Sequence, residues 1–75
     1  MMVVEVEVEV YVDGKLYDLR SFDNLDSAFH FAGKNICQFS KQGCICKIWS
    51  YDELDMQDGK AGLLIVIDSK EVNNV

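Results

Sequence analysis

The chain has 75 residues, 49% of them hydrophobic and 27% charged, with no proline and a formal net charge of −6 at pH 7. So short a chain can form only one domain with a small core, and its hydrophobic content argues against disorder. The acidic balance argues against direct nucleic-acid binding, which needs basic side chains opposite the phosphates.

No apolar run approaches the ~20 residues that a membrane span requires, so no membrane association is predicted. The N-terminus also lacks the basic and apolar regions of a signal peptide. Three cysteines, an odd number, do not suggest an extracellular disulfide framework. We therefore expect a cytoplasmic protein with reduced thiols.

The first predicted element is a strand over residues 3–12, in which valine alternates with glutamate. Successive side chains of a strand point to opposite faces, so one face is apolar and the other is wet. The apolar face comprises Val4, Val6, Val8, Val10 and Val12. The wet face comprises Glu5, Glu7, Glu9 and Tyr11.

The dipeptide Asp13-Gly14 predicts a tight hairpin turn into a second strand over residues 15–21. A regular register from this turn pairs Val12 with Lys15, and it continues through the pairs Val10–Tyr17, Glu9–Asp18, Val8–Leu19 and Glu7–Arg20. The last of these pairs would be a cross-strand ion pair on the wet face.

Residues 24–42 are predicted to form a helix, which Asp23 or Asn24 can cap and Gly43 can end. Its apolar stripe has helical spacing and is expected to be buried. The stripe comprises Leu25, Ala28, Phe29, Ala32, Ile36 and Phe39. The opposite, exposed face carries His30, Lys34, Cys37 and Lys41.

Two further strands are predicted over residues 44–51 and 62–68. In the first, Cys44, Cys46, Ile48 and Ser50 form a small uncharged face that is placed under the helix. Its other face carries Ile45, Lys47, Trp49 and Tyr51. The second strand contains a continuous aliphatic run, which favours burial on both of its faces. An acidic connection with a turn at Asp58-Gly59 joins the two, and the polar residues after Asp68 are expected to fray.

The predicted fold is α+β, with the order β-β-α-β-β in one domain over residues 1–75. One helix can cover only one face of the predicted four-stranded, mostly antiparallel sheet. The other face is left for water or for a partner.

Four side chains could ligate zinc, which prefers nitrogen and sulfur donors in tetrahedral geometry. They are His30, Cys37, Cys44 and Cys46. The predicted helix pair points outward while the strand pair points inward, and no C-x-x-C pair is present. We therefore expect no metal, no cofactor and no catalytic site, and a small metal- or thiol-dependent protein remains an alternative.

Two features favour protein binding. Glu5, Glu7 and Glu9 repeat every ~6.5–7 Å along one strand face, close to the phosphate repeat of a nucleic-acid strand. An aromatic group falls on the sheet face away from the helix and offers the anchors that protein interfaces use. This group comprises Tyr11, Trp49 and Tyr51.

In size, acidity and character the whole chain resembles the small accessory proteins of bacteriophages and mobile elements. That resemblance implies binding to a host or defence protein in the host cytoplasm, and it rests on no specific motif. The sequence thus predicts a non-enzymatic protein-binding module, an inhibitor of a nucleic-acid-handling protein. The alternative is a homodimer formed through the same sheet face.

Overall fold

A computed structural model describes residues 3–52 and 62–72. The elements are β1 (Val3–Val12), β2 (Lys15–Phe22), α1 (Leu25–Gln38), β3 (Cys44–Asp52), β4 (Gly62–Asp68) and a short helix α2 (Ser69–Val72). The strands form one sheet in the order β2-β1-β3-β4, and each neighbouring pair is antiparallel. The predicted α+β class, with one helix packed on a four-stranded sheet, is confirmed.

The helices of these ranges are all too short or too polar to cross a membrane.

The predicted hairpin turn is present. Asp13 and Gly14 have φ angles of 54° and 80°, the two positive values that a type I′ turn requires. Val12 pairs with Lys15 as predicted. The regular register holds through the next pair, Tyr11–Leu16. From Val10 onward the predicted register is wrong, because Tyr17 is an extra residue in β2.

This bulge follows the Tyr11–Leu16 pair and places Asp18 instead of Tyr17 opposite Val10, so each later partner moves by one residue. Val8 faces Arg20, Glu9 faces Leu19 and Glu7 faces Ser21. The bulged Tyr17 packs its ring against Phe39, with the centroids 4.8 Å apart.

The predicted Glu7–Arg20 ion pair is therefore wrong. The bulge turns Arg20 to the helix side of the sheet, where its side chain lies 3.3 Å from the carboxylate of Asp18. Its guanidinium also lies over the ring of Phe31, 5.0 Å from the centroid. Arg20 thus covers an aromatic contact at the sheet edge instead of neutralising Glu7.

Helix α1 begins after Asn24, whose side-chain oxygen accepts the N–H of Ser27 at 2.8 Å. It ends at Gln38, four residues before the predicted end, and the N–H of Phe39 closes the last turn on Asn35. Gly43 has a φ of 84° and leads the chain into β3. Its carbonyl accepts the N–H of Asp13 at 3.0 Å, which ties the hairpin turn to the end of the helical segment.

The buried stripe of α1 differs from the predicted one. It contains small residues that let the helix lie close to the sheet, and it comprises Ala28, Ala32, Asn35 and Ile36. Phe31 packs against Phe22 of β2 on one flank, with centroids 5.5 Å apart. Phe29 projects from the opposite flank and is 42% exposed, so its predicted burial is wrong. Lys34 and Lys41 are exposed as predicted.

The valine face of β1 and the small face of β3 form the floor of the core. These side chains have no exposed surface: Val6, Val8, Val10, Cys44, Cys46 and Ile48. The two sets are directly paired across the central strands, with Val10 opposite Cys46 and Val8 opposite Ile48. Placing the cysteine face of β3 under the helix is thereby confirmed.

The prediction that β4 is buried on both faces is wrong. Four consecutive side chains are 41–48% exposed: Leu63, Leu64, Ile65 and Val66. In the described part of the chain β4 is the last strand of the sheet, and α1 lies over the centre rather than over this edge.

Ser69–Val72 do not fray as predicted but form α2, and residues 73–75 lie outside the described part of the chain. Ser69 is fully buried, and its hydroxyl accepts the N–H of Cys44 at 2.9 Å. The predicted turn at Asp58-Gly59 lies outside the described residues.

Candidate protein-binding face

The sheet surface away from α1, called the open face below, is built mainly from the two central strands. Strand order makes β1 and β3 neighbours, which the hairpin pattern alone did not predict. Their register sets Glu5 opposite Tyr51, Glu7 opposite Trp49 and Glu9 opposite Lys47. The acidic row and the aromatic group therefore form one continuous surface.

Hydrogen bonds join the two rows diagonally. The indole Nε1 of Trp49 donates to Oε1 of Glu9 at 2.6 Å. Glu9 lies two residues along β1 from Glu7, which is the direct partner of Trp49 in the sheet. The hydroxyl of Tyr51 donates to Oε1 of Glu7 at 3.4 Å with the same offset. Bonds to ionised carboxylates are stronger than neutral ones, so the short Trp49 bond holds both side chains in a defined orientation. These aromatic rings are half-buried and pre-oriented on the surface.

The tyrosines of this face remain protonated at neutral pH. Burial and then the charge of Glu9 raise the pKa of Tyr11. The pKa of Tyr51 is raised by burial first and then by the charge of Glu7. Lys47 adds a positive charge 5.1 Å from the centroid of the Tyr11 ring. The centre of the open face is thus acidic and aromatic.

Apolar side chains flank this centre on both outer strands. Leu16 and Leu19 of β2 are 55% and 50% exposed, and the register places them beside Tyr11 and Glu9. On β4, Leu63 and Val66 lie beside Trp49 and Lys47 and are similarly exposed.

Sequence reasoning missed Leu19 as a member of this face, whereas the predicted register already set Leu16 beside Tyr11. A one-residue bulge inverts the facing of all later side chains, and no pattern in β2 marks it. On β4, Val66 lies on this face opposite Lys47, and Leu63 joins it only because of a second bulge, at Leu64.

The four candidate zinc ligands lie on opposite sides of the helix. His30 and Cys37 are exposed on its outer surface, whereas Cys44 and Cys46 are buried beneath it. Within residues 3–52 and 62–72, no group of three or more His, Cys, Asp or Glu side chains is placed to hold a metal ion.

The buried thiols lie in an apolar environment. The Cys46 Sγ contacts the Ala32 carbonyl oxygen at 3.7 Å. Burial, followed by the charge of Cys44, raises the pKa of Cys46 to about 12. A thiol that stays protonated is a poor nucleophile and a poor metal ligand.

Comparison with protein-family models, with curated proteins and with solved structures gives no match for this chain.

Proposed function

We propose that this chain is a non-enzymatic protein-binding module whose open face engages a basic surface on another protein. The observation that carries the proposal is the Trp49–Glu9 hydrogen bond, which joins an acidic row to an aromatic anchor on adjacent central strands. Interfaces commonly place a pre-oriented tryptophan or tyrosine at the centre and charges around it.

The charge of the face selects the class of partner. Glu5, Glu7 and Glu9 project from one face of β1 at intervals of ~6.5–7 Å, twice the rise per strand residue. Phosphates along a nucleic-acid strand have a similar spacing, so a protein surface that binds nucleic acid would meet a comparable row of negative charges. A nucleic-acid-handling protein of the cytoplasm is therefore the proposed target, and occupation of its binding surface would inhibit it. Many small accessory proteins of phages and mobile elements, the class that the chain resembles in size and acidity, bind and block a host or defence protein.

The two parts of the face have different expected roles. The half-buried carboxylates of the row act over distances near the Debye length and speed the encounter with a basic partner. The aromatic side chains act after contact, when Trp49 and Tyr51 lose their remaining exposure to water and slow dissociation.

The acidic row is tested by replacing Glu5, Glu7 and Glu9 with glutamine. A matched control, Asp13→Asn with Asp26→Asn and Glu71→Gln, removes the same number of charges from exposed positions away from the open face. Partners captured on the wild-type protein should associate at least about tenfold more slowly with the first variant at low salt, and near the wild-type rate with the control. Equal rates for both variants would contradict a role for the row.

The aromatic anchor is tested separately by Trp49→Ala. This variant should associate at a nearly normal rate but dissociate faster, since an anchor is lost after encounter. Double-stranded DNA added as a competitor should release the captured partner if the row occupies a phosphate-binding surface. A partner that DNA does not displace would contradict the phosphate-mimic part of the proposal.

Self-association through the open face is a weaker candidate. A face-to-face dimer would bury two rows of three glutamates against each other, and the single Lys47 of each copy could not neutralise them. The apolar flanks favour contact with some protein, but the charge at the centre favours a basic one.

A further inference from the structure

The two edges of the sheet differ in how they meet solvent. The β2 edge carries Lys15, Asp18 and Arg20, and charged side chains on an edge strand discourage pairing with another chain. By contrast, β4 reads Gly-Leu-Leu-Ile-Val-Ile-Asp and has no charge before Asp68. Its four central side chains, from Leu63 to Val66, are 41–48% exposed. In the described residues β4 pairs only with β3.

The apolar surface at this edge continues onto the helix. Phe31 contacts β2, so the opposite flank of α1, which carries Phe29, is turned toward β4. Phe29 is 42% exposed, and Leu25 on the same flank is 38% exposed. Ile65 of β4 faces the helix side because it pairs with the buried Ile48, and it is still 41% exposed.

We propose that β4 is the homodimer interface of this protein, pairing antiparallel with β4 of a second copy to extend the sheet. A two-fold axis perpendicular to the sheet gives an antiparallel strand pair and keeps both helices on the same side. The helix flanks with Phe29 then approach each other above the joined strands. Leu63 and Val66 of each copy lie close together below them.

A second copy suits this edge better than an extended peptide. A peptide strand would satisfy the backbone groups of β4 but would leave the helix flank exposed, whereas a second copy covers the edge, the flank and the open-face side at once. Complete covering of the exposed apolar residues from Leu63 to Val66, with Leu25 and Phe29, would bury at most roughly 1,000 Å² over two copies, the lower limit for specific dimers.

The charges allow this pairing. In an antiparallel pair the two Asp68 carboxylates lie toward opposite ends of the joined strands, so they do not face each other. The glutamate rows of the open faces also stay apart, because each lies on β1, separated from the joined edge by β3. The dimer would present two acidic faces on one side of a single sheet.

The interface is tested by sedimentation equilibrium of the wild-type chain and of two leucine variants. Leu64→Lys places a charge on the β4 edge, and Leu19→Lys makes the same change at a leucine of β2 with matching exposure, 50% against 48%. We expect the wild type and Leu19→Lys to dimerise at micromolar concentrations. Leu64→Lys should raise the dimer dissociation constant at least about tenfold while circular dichroism shows an intact fold.

Amide hydrogen exchange of the wild-type protein gives a second readout that needs no substitution. Raising the protein concentration should increase protection within Gly62–Asp68 and leave Lys15–Phe22 unchanged. A wild type that stays monomeric at millimolar concentration would overturn the proposal. So would a dimer that Leu19→Lys or Trp49→Ala dissociates and Leu64→Lys does not, since that dimer would use the open face.

Discussion

A glycine-to-alanine substitution can be compared at Gly14, which has a positive φ, and at Gly33, which has a helical backbone. An added Cβ would meet no atom within 4 Å at either position, so only the backbone conformation differs. Gly14 has a φ of 80° in the hairpin turn, whereas Gly33 lies inside α1. Gly14→Ala should lower the free energy of unfolding by ~1–2 kcal/mol, and Gly33→Ala should raise it by ~0.5–1 kcal/mol. Urea denaturation measures both, and a neutral Gly14→Ala would contradict the turn assignment.

Cys46 should make the protein sensitive to alkali. The pKa of this thiol is raised by burial from 9.0 to about 12, so above pH 9 the unfolded chain releases a proton that the folded chain keeps. The contribution of the protonated Cys46 thiol to the free energy of unfolding is complete below pH 9. It is lost as pH rises toward 12, by up to ~1.4 kcal/mol per pH unit.

Denaturation of Cys46→Ala under reducing conditions should therefore show a shallower alkaline decline than the wild type. Cys37→Ala, which removes an exposed thiol, serves as the control and should keep the wild-type slope. Identical slopes for all three proteins would show that Cys46 does not carry the effect.

At the scale of the elements, α1 contacts the sheet through a different stripe than its aromatic residues suggest. Ile36 is only 5% exposed and Phe29 is 42% exposed. Ile36→Ala should therefore cost ~2–5 kcal/mol, and Phe29→Ala should cost less despite removing the larger side chain. Both variants should be denatured at low protein concentration, where contacts between copies do not contribute to the free energy of unfolding. The reverse order of the two costs would favour the stripe predicted from the sequence.

The bulge at Tyr17 shows how one residue changes the role of an element. Without it, Leu19 would lie under the helix and Arg20 would face Glu7. With it, Leu19 joins the open face and Arg20 covers Phe31. Because the ring of Tyr17 packs on Phe39, the contact between β2 and the end of α1 favours the bulged register.

At the scale of the whole molecule, like charges on the open face should make stability depend on salt. Neighbouring glutamates of β1 lie ~6.5–7 Å apart, within the Debye length of ~10 Å at 0.1 M ionic strength, so added salt above this level screens their repulsion. The melting temperature should rise by a few degrees between low and high salt. The rise should be smaller when Glu5, Glu7 and Glu9 are replaced by glutamine, and nearly unchanged in the Asp13, Asp26 and Glu71 control. An equal rise in both variants would assign the effect to net charge alone.

Much of the fold follows from local patterns. The alternation in β1, the Asp13-Gly14 turn, the capping Asn24 and the small inward face of β3 each involve neighbouring residues and a fixed backbone period. Such patterns predicted all four strands, the main helix and the β-β-α-β-β order. They also assigned Glu5, Glu7 and Glu9 to one strand face.

Other features depend on contacts between distant residues. The bulge at Tyr17 is linked to packing on Phe39, and the helix phase depends on which side chains fit closely over β1 and β3. The exposure of β4 depends on its position at the edge, since an aliphatic run looks the same in a central strand. The Trp49–Glu9 hydrogen bond likewise requires β3 to lie beside β1, a neighbour relation between strands far apart in sequence.

The sequence by itself therefore determined the four strands, the main helix, the hairpin turn, the α+β class and the facing of β1 and β3. Only the tertiary structure decided the strand order, the register beyond the turn, the buried stripe of α1 and the exposed edge at β4. The physical reason is that backbone period and turn geometry are local properties. Strand adjacency and burial depend on how the whole chain excludes water from a small core.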